Sequence, residues 1–303
     1  MGHPLRRFDP DQIYFVTNRT LQGRLFMTPT KGIKELIGGC LAKALSRYDI
    51  EIYGYTFLSN HYHLIIKARA DTLAKFMNHL NSNIAKKVSK RIGWSGKFWQ
   101  RRYSAEPILD EGALIERMEY LIQHGVKEGL VNRCVQWPGL NCIESLLNQQ
   151  TPQYPWLNET KLCLDGRTGG GPKPEEAYTE NLPVTLSTLP CWEHLSPGEQ
   201  RAEAKKLVAG AQSDALKSRR GKKALGIRRV LKQNPLSAPK SSKRSRRPLC
   251  HTTFKEIWLE FRNLYRNFVR EFRHASELFR EGHLKIAFPR FAYPPPLPLQ
   301  LSG

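Results

Sequence analysis

At 303 residues with 40% hydrophobic content, the chain can bury at least one full core, which excludes a solvating disordered polymer over most of its length. Lys and Arg number 48 against 27 Asp and Glu, and the resulting net charge of +21 points to a polyanionic partner. No apolar run approaches the roughly 20 residues of a membrane span, Met1–Arg7 lacks the apolar core of a secretory signal, and six cysteines without a Cys-x-x-Cys pair argue against a disulfide framework or a zinc ribbon, so a reducing cytoplasm and no membrane partner are expected.

In chain order, Ile13–Thr17 is a β-rich run. Lys31–Tyr48 carries apolar residues at 33, 36, 37, 41, 44 and 45, which is helical spacing, with Thr30 as its cap. Ile50–Leu58 is β-branched and aromatic, Ser59-Asn60 turns, and His61–Lys67 is a further strand. Asp71–Ile92 places Leu73, Phe76, Met77, Leu80, Ile84 and Val88 on one helical stripe, Phe98–Leu109 reads as extended, and Asp110 caps a helix running to about His124. The order β-α-β-β-α-β-α predicts an α+β domain, an antiparallel sheet of the split β-α-β kind with its helices packed on one face.

Beyond this domain, taken as residues 1–148, the charge is uneven. Residues 149–200 read as a Pro/Gly-rich acidic linker, and residues 201–250 carry 16 basic against 2 acidic side chains. Runs such as Arg219-Arg220-Gly221-Lys222-Lys223 and Lys243-Arg244-Ser245-Arg246-Arg247 neutralise phosphates by counterion release, so this stretch is expected to bind nucleic acid, the alternative being a solvated tail. Residues 251–303 combine an amphipathic helix over 252–281 with a Pro-rich tail. Phe254, Trp258, Phe261, Tyr265, Phe268, Phe272, Ala275 and Phe279 recur in steps of four and three, a seam for self-association or for docking on the first domain.

His61 and His63, at i and i+2 on a strand, share one face while Tyr62, Leu64 and Ile66 take the other. Two imidazoles so placed can converge on one ion. In the helix after Asp110, Tyr120 and His124 lie one turn apart, opposite the apolar Leu114, Met118, Leu121 and Ile122. Laid across the sheet, that helix would supply His124 as a third ligand and the Tyr120 hydroxyl as a nucleophile toward phosphorus. The plainer reading has Tyr120 capping a core and His124 at the surface near a helix end.

These residues resemble a known family. His61-Tyr62-His63 is similar to the His–hydrophobe–His motif of single-tyrosine HUH transposases. Gly96-Lys97-Phe98-Trp99-Gln100-Arg101-Arg102-Tyr103 resembles the Gly-x-hydrophobe-Trp-Gln-x-Arg-Tyr segment of the REP-associated tyrosine transposase branch, and Glu119–Val131 resembles that branch's Arg-Tyr-Ile-x-x-Asn-Pro-Val-Arg-Ala-Gly-Leu-Val. The resemblance covers about residues 10–145. It implies an HUH fold and Mg²⁺- or Mn²⁺-dependent nicking and joining of single-stranded DNA at hairpin or palindromic sites through a covalent 5′-phosphotyrosine. In it Tyr120 falls on the nucleophile and His61 and His63 on the metal ligands. His124 stands where relatives have Asn or Gln, a change that favours a softer ion such as Mn²⁺. Gly125, Lys127 and Glu128 replace the branch's Pro, Arg and Ala, and Tyr103 is the rival nucleophile.

Arg24, Arg101 and Arg102 are candidates for phosphate contacts. Trp99 could stack on an unpaired base or pack in the core, and Arg117, one turn before Tyr120, could neutralise the attacked phosphate. Arg219, Arg220, Lys222, Lys223, Arg246 and Arg247 would follow a flanking hairpin. The expected location is the cytoplasm, with the nucleoid, and the expected assembly a monomer or homodimer. The alternative function is a catalytically inactive DNA-binding protein on the same scaffold.

Overall fold

The computed structural model describes residues 5–69, 72–167, 173–239 and 248–296. Strands β1 (Ile13–Arg19), β2 (Ile50–Phe57), β3 (His61–Ala68) and β4 (Ser104–Ile108) form a sheet in the order β2-β3-β1-β4, antiparallel at every pairing. Helix α1 (Lys31–Arg47) joins β1 to β2, α2 (Thr72–Ile92) joins β3 to β4, and α3 (Glu111–Lys127) follows β4. This is the expected split β-α-β order in an α+β domain. The Thr30 hydroxyl caps α1 by accepting from Ile33 N–H at 3.4 Å, and the Asp110 carboxylate caps α3 by accepting from Ala113 N–H at 2.8 Å.

The helices do not all lie on one face. Tyr62 on β3 donates to Asn81 of α2 at 2.7 Å, whereas His63, the next residue, meets Tyr120 and His124 of α3. Adjacent strand residues point to opposite faces, so α2 and α3 sandwich the sheet. The reason is written in Leu64-Ile65-Ile66, which is fully buried and needs cover on both sides. Gly54 of β2 lets α3 approach, since a Cβ there would sit 2.7 Å from Met118 Sδ. Residues 98–102, expected to extend β4, instead cross the end of β1, where Leu21 N–H donates to Phe98 O and Gln100 N–H to Arg19 O.

The acidic segment contains β5 (Gln153–Leu157) and β6 (Thr179–Pro183), an antiparallel pair seated on α1 where Gly38 and Gly39 leave no side chain against Tyr154 and the Pro155 carbonyl. Two short helices flank β5, α4 (Ile143–Asn148) and α5 (Glu159–Arg167). The basic stretch opens with α6 (Pro197–Arg219), capped by a reciprocal Ser196–Glu199 pair and packed on α3 through Ala204, Leu207, Ala211 and Ala215. A short α7 (Ile227–Leu231) follows.

His251 forms a parallel bridge with Ile108 at the edge of β4, and Thr253 donates through both its N–H and its hydroxyl to Asp110, each at 2.9 Å. The amphipathic helix is α8 (Lys255–Arg280). Of its aromatic seam, Phe268 and Ala275 are buried and Phe254 and Trp258 exposed. Tyr265 donates to Leu5 O at 2.8 Å, and Phe272 and Phe279 pack on Phe288 as the chain turns back after Gly282. Among the described residues no helix is long and apolar enough to cross a membrane.

Candidate active site

The register of β3 and the face of α3 bring His61, His63 and His124 together, with one nitrogen from each lying within 4.8 Å of the others. Their ring centroids are 4.8 to 5.0 Å apart. Each strand histidine is oriented from behind. His61 Nδ1 is 2.6 Å from Asn60 Oδ1 and His63 Nδ1 is 2.9 Å from Thr17 Oγ1, which leaves both Nε2 atoms turned inward. His61 Nε2 meets His124 Nε2 at 2.9 Å, while buried His63 Nε2 has no hydrogen-bond partner. A buried, orphaned nitrogen beside two more imidazoles is costly in a core and suited to a cation, so the residues fit a divalent ion.

Desolvation, helped by the Arg19 charge, pushes His61 down from 6.5 to about 4. Burial and the neighbouring imidazoles hold His63 and His124 well below the ordinary histidine range. All three are therefore neutral at pH 7 with lone pairs available, the form in which imidazole binds metal.

Tyr120 is half-buried beside this cluster, its ring 4.9 Å from His124 and 5.3 Å from His63, and edge-on to Phe15 at 5.9 Å. Burial raises its hydroxyl pKa, the Glu128 charge adds to the rise, and Arg117 opposes it. Arg117 and Lys127 lie 5.3 and 5.2 Å from the ring centroid, one on the turn before Tyr120 and one on the turns after.

The other anticipated residues scatter. Arg24 donates to Leu236 O and Gln22 and lies 5.3 Å from the Trp94 ring, within the protein's own loops. Trp99 donates from Nε1 to Asn81 O at 2.9 Å and packs edge-on to Tyr62, on the α2 side of the sheet and away from the histidines. Arg101 and Arg102 are exposed, and Tyr103 is buried under Arg6. Arg219 is turned inward, donating to Val131 O, Asn132 Oδ1 and Lys222 O, where it ties the end of α6 to the loop after α3. Arg220, Lys222 and Lys223 are exposed beside it, and Arg246 and Arg247 lie outside the described residues. Sequence reasoning missed Phe15, Thr17 and Arg19. They alternate along β1 and pair in register with Ile65, His63 and His61, but only the strand pairing shows that their face is the histidine face.

Residues 23–124 match the model of the IS200-like transposases, a span holding all three histidines and Tyr120. The match makes this domain similar to the IS200-like transposases over about a third of the chain. Among solved structures, the chain resembles a REP-associated tyrosine transposase bound to a REP hairpin, with TM-score 0.42 and 18% identity over 49% of this chain and 87% of that one. It also resembles a protein of Deinococcus radiodurans R1 described as a transposase, with TM-score 0.29 and 14% identity over 40% of this chain and 95% of the other. No curated protein sequence matches the chain.

Proposed function

We propose that this protein is a transposase that nicks and rejoins single-stranded DNA at hairpin or palindromic sites, with Tyr120 as nucleophile and His61, His63 and His124 holding Mg²⁺ or Mn²⁺. The observation that carries the reading is the placement by one helix of Tyr120 and His124, one turn apart, against the His61–His63 face, so that a phenol stands beside three converging nitrogens. A divalent ion held there would withdraw charge from a phosphate oxygen. Tyr120 Oη attacks phosphorus, the Oη–P bond forms as the P–O3′ bond breaks, the phenol proton passes to solvent and the departing 3′-oxygen gains one. Attack by a 3′-hydroxyl on the phosphotyrosine reverses the step and restores the phenol, so no external energy source is needed. Arg117 and Lys127 neutralise the phosphate beside the phenol and offset the rise that burial imposes on it.

On this reading residues 1–148 are the catalytic unit, with the nucleoid as its place of work. Residues 149–200, 201–250 and 251–303 are appended to that unit, and the exposed Arg220, Lys222 and Lys223 follow hairpin backbone. The test is a denaturing-gel assay for a covalent protein–DNA adduct on hairpin-flanked single strands with Mn²⁺. Wild type forms the adduct, while Tyr120→Phe forms none and still binds DNA. Nicking by the Phe variant would move the nucleophile elsewhere, and binding without adduct in wild type would leave the non-catalytic reading.

A further inference from the structure

Arg19 is the last residue of β1 and pairs across the sheet with His61, so its side chain leaves on the histidine face. Its guanidinium lies close over Gly23. A Cβ on Gly23 would lie 2.8 Å from one terminal nitrogen of Arg19 and 3.2 Å from its Nε. Gly23 has φ +68° and follows Gln22 at φ +55°, so the chain doubles back beneath the arginine in a turn that only a residue without a side chain fits. The turn is tied to the site, since Asn60 donates to Gly23 O at 3.1 Å while its own Oδ1 meets His61 Nδ1 at 2.6 Å. Among the described residues Arg19 pairs with no carboxylate, and its buried Nε has no hydrogen-bond partner. An unneutralised fork on the histidine face, on the His61 side and opposite Arg117 and Lys127, calls for an anion.

We propose that Arg19, seated on Gly23, is a DNA-phosphate-binding residue of this site, gripping a non-bridging phosphodiester oxygen at the His61 corner. The inference rests on the proposed DNA chemistry and adds the residue that receives the strand there. The Arg117–Lys127 pair and Arg19 then bracket the backbone, one side at the phenol and the other at the outer histidine. A mere packing role on the loop would need only the aliphatic stem.

The test uses the full chain, a hairpin-flanked single-stranded oligodeoxynucleotide and Mn²⁺. Arg19→Gln is expected to retain Mn²⁺ binding by electron paramagnetic resonance and to weaken DNA binding about 10- to 100-fold, the loss of one charged hydrogen-bond pair. The slope of log affinity against log salt should shrink by about 0.7, one single-strand phosphate contact. Arg19→Lys should restore the slope but only part of the affinity, because an ammonium lacks the fork. Gly23→Ala should weaken binding with Arg19 still present. Wild-type affinity and slope in Arg19→Gln, or loss of Mn²⁺ along with DNA, would overturn the proposal. If wild type forms no adduct while binding still depends on Arg19, only the cleavage reading fails.

Discussion

The two faces of the central sheet carry opposite kinds of interior. On the α1–α2 side, Tyr62, Leu64 and Ile66 meet Phe76, Met77, Leu80 and Ile84, all fully buried, and the one polar group among them, the Tyr62 hydroxyl, is bonded to Asn81. On the α3 side, the same strand presents His61 and His63 to a third histidine and a tyrosine, with buried nitrogens left unpartnered. One face is packed for stability and the other gives up packing for a site, a division that period-two alternation makes possible on a single strand.

That contrast can be broken in order of expected effect. Leu64→Ala removes a fully buried side chain from the packed face and should lower stability by about 2–5 kcal/mol, read by urea denaturation. His124→Leu acts on the other face with a smaller cost. It should abolish Mn²⁺ binding, yet destabilise the metal-free protein less than Leu64→Ala does, because the imidazole it removes has an unpartnered buried Nδ1, offset by the lost bond to His61 Nε2. Equal destabilisation in the two variants would erase the distinction between the faces.

Acid sharpens the comparison further. His61 is held at about 4 against an ordinary 6.5, and His63 and His124 are also depressed. Between those values the unfolded chain takes up protons that the folded chain does not. The metal-free protein should therefore lose stability as pH falls from about 6.5 toward 4, with no further loss from His61 below that. Saturating Mn²⁺ should raise the curve by a constant amount across this window without changing its slope, and thermal melts measure both. The smallest effect concerns the start of the tyrosine helix. Asp110→Ala removes the α3 cap and the anchor of Thr253, at a cost of about 1–2 kcal/mol by denaturant titration.

Much of this was readable in the chain itself. The order of elements, the caps at Thr30 and Asp110, the His61–His63 pair and the Tyr120–His124 pair follow from periods of 2 and 3.6 residues, because those periods are local geometry. Amphipathic periodicity likewise marked α8, though not which of its aromatic residues would be covered. Other features depend on segments far apart in sequence. The crossing of α3 over the second face, the pairing of Arg19 with His61 and the inward turn of Arg219 each require distant segments to meet. So does the seating of β5 and β6 on Gly38-Gly39. Strand register and helix docking are chosen by burying whole sets of side chains at once, and no single stretch of sequence contains that choice. The composition of the histidine site was local, whereas its third side, its cations and its packed reverse face were decided by the tertiary fold.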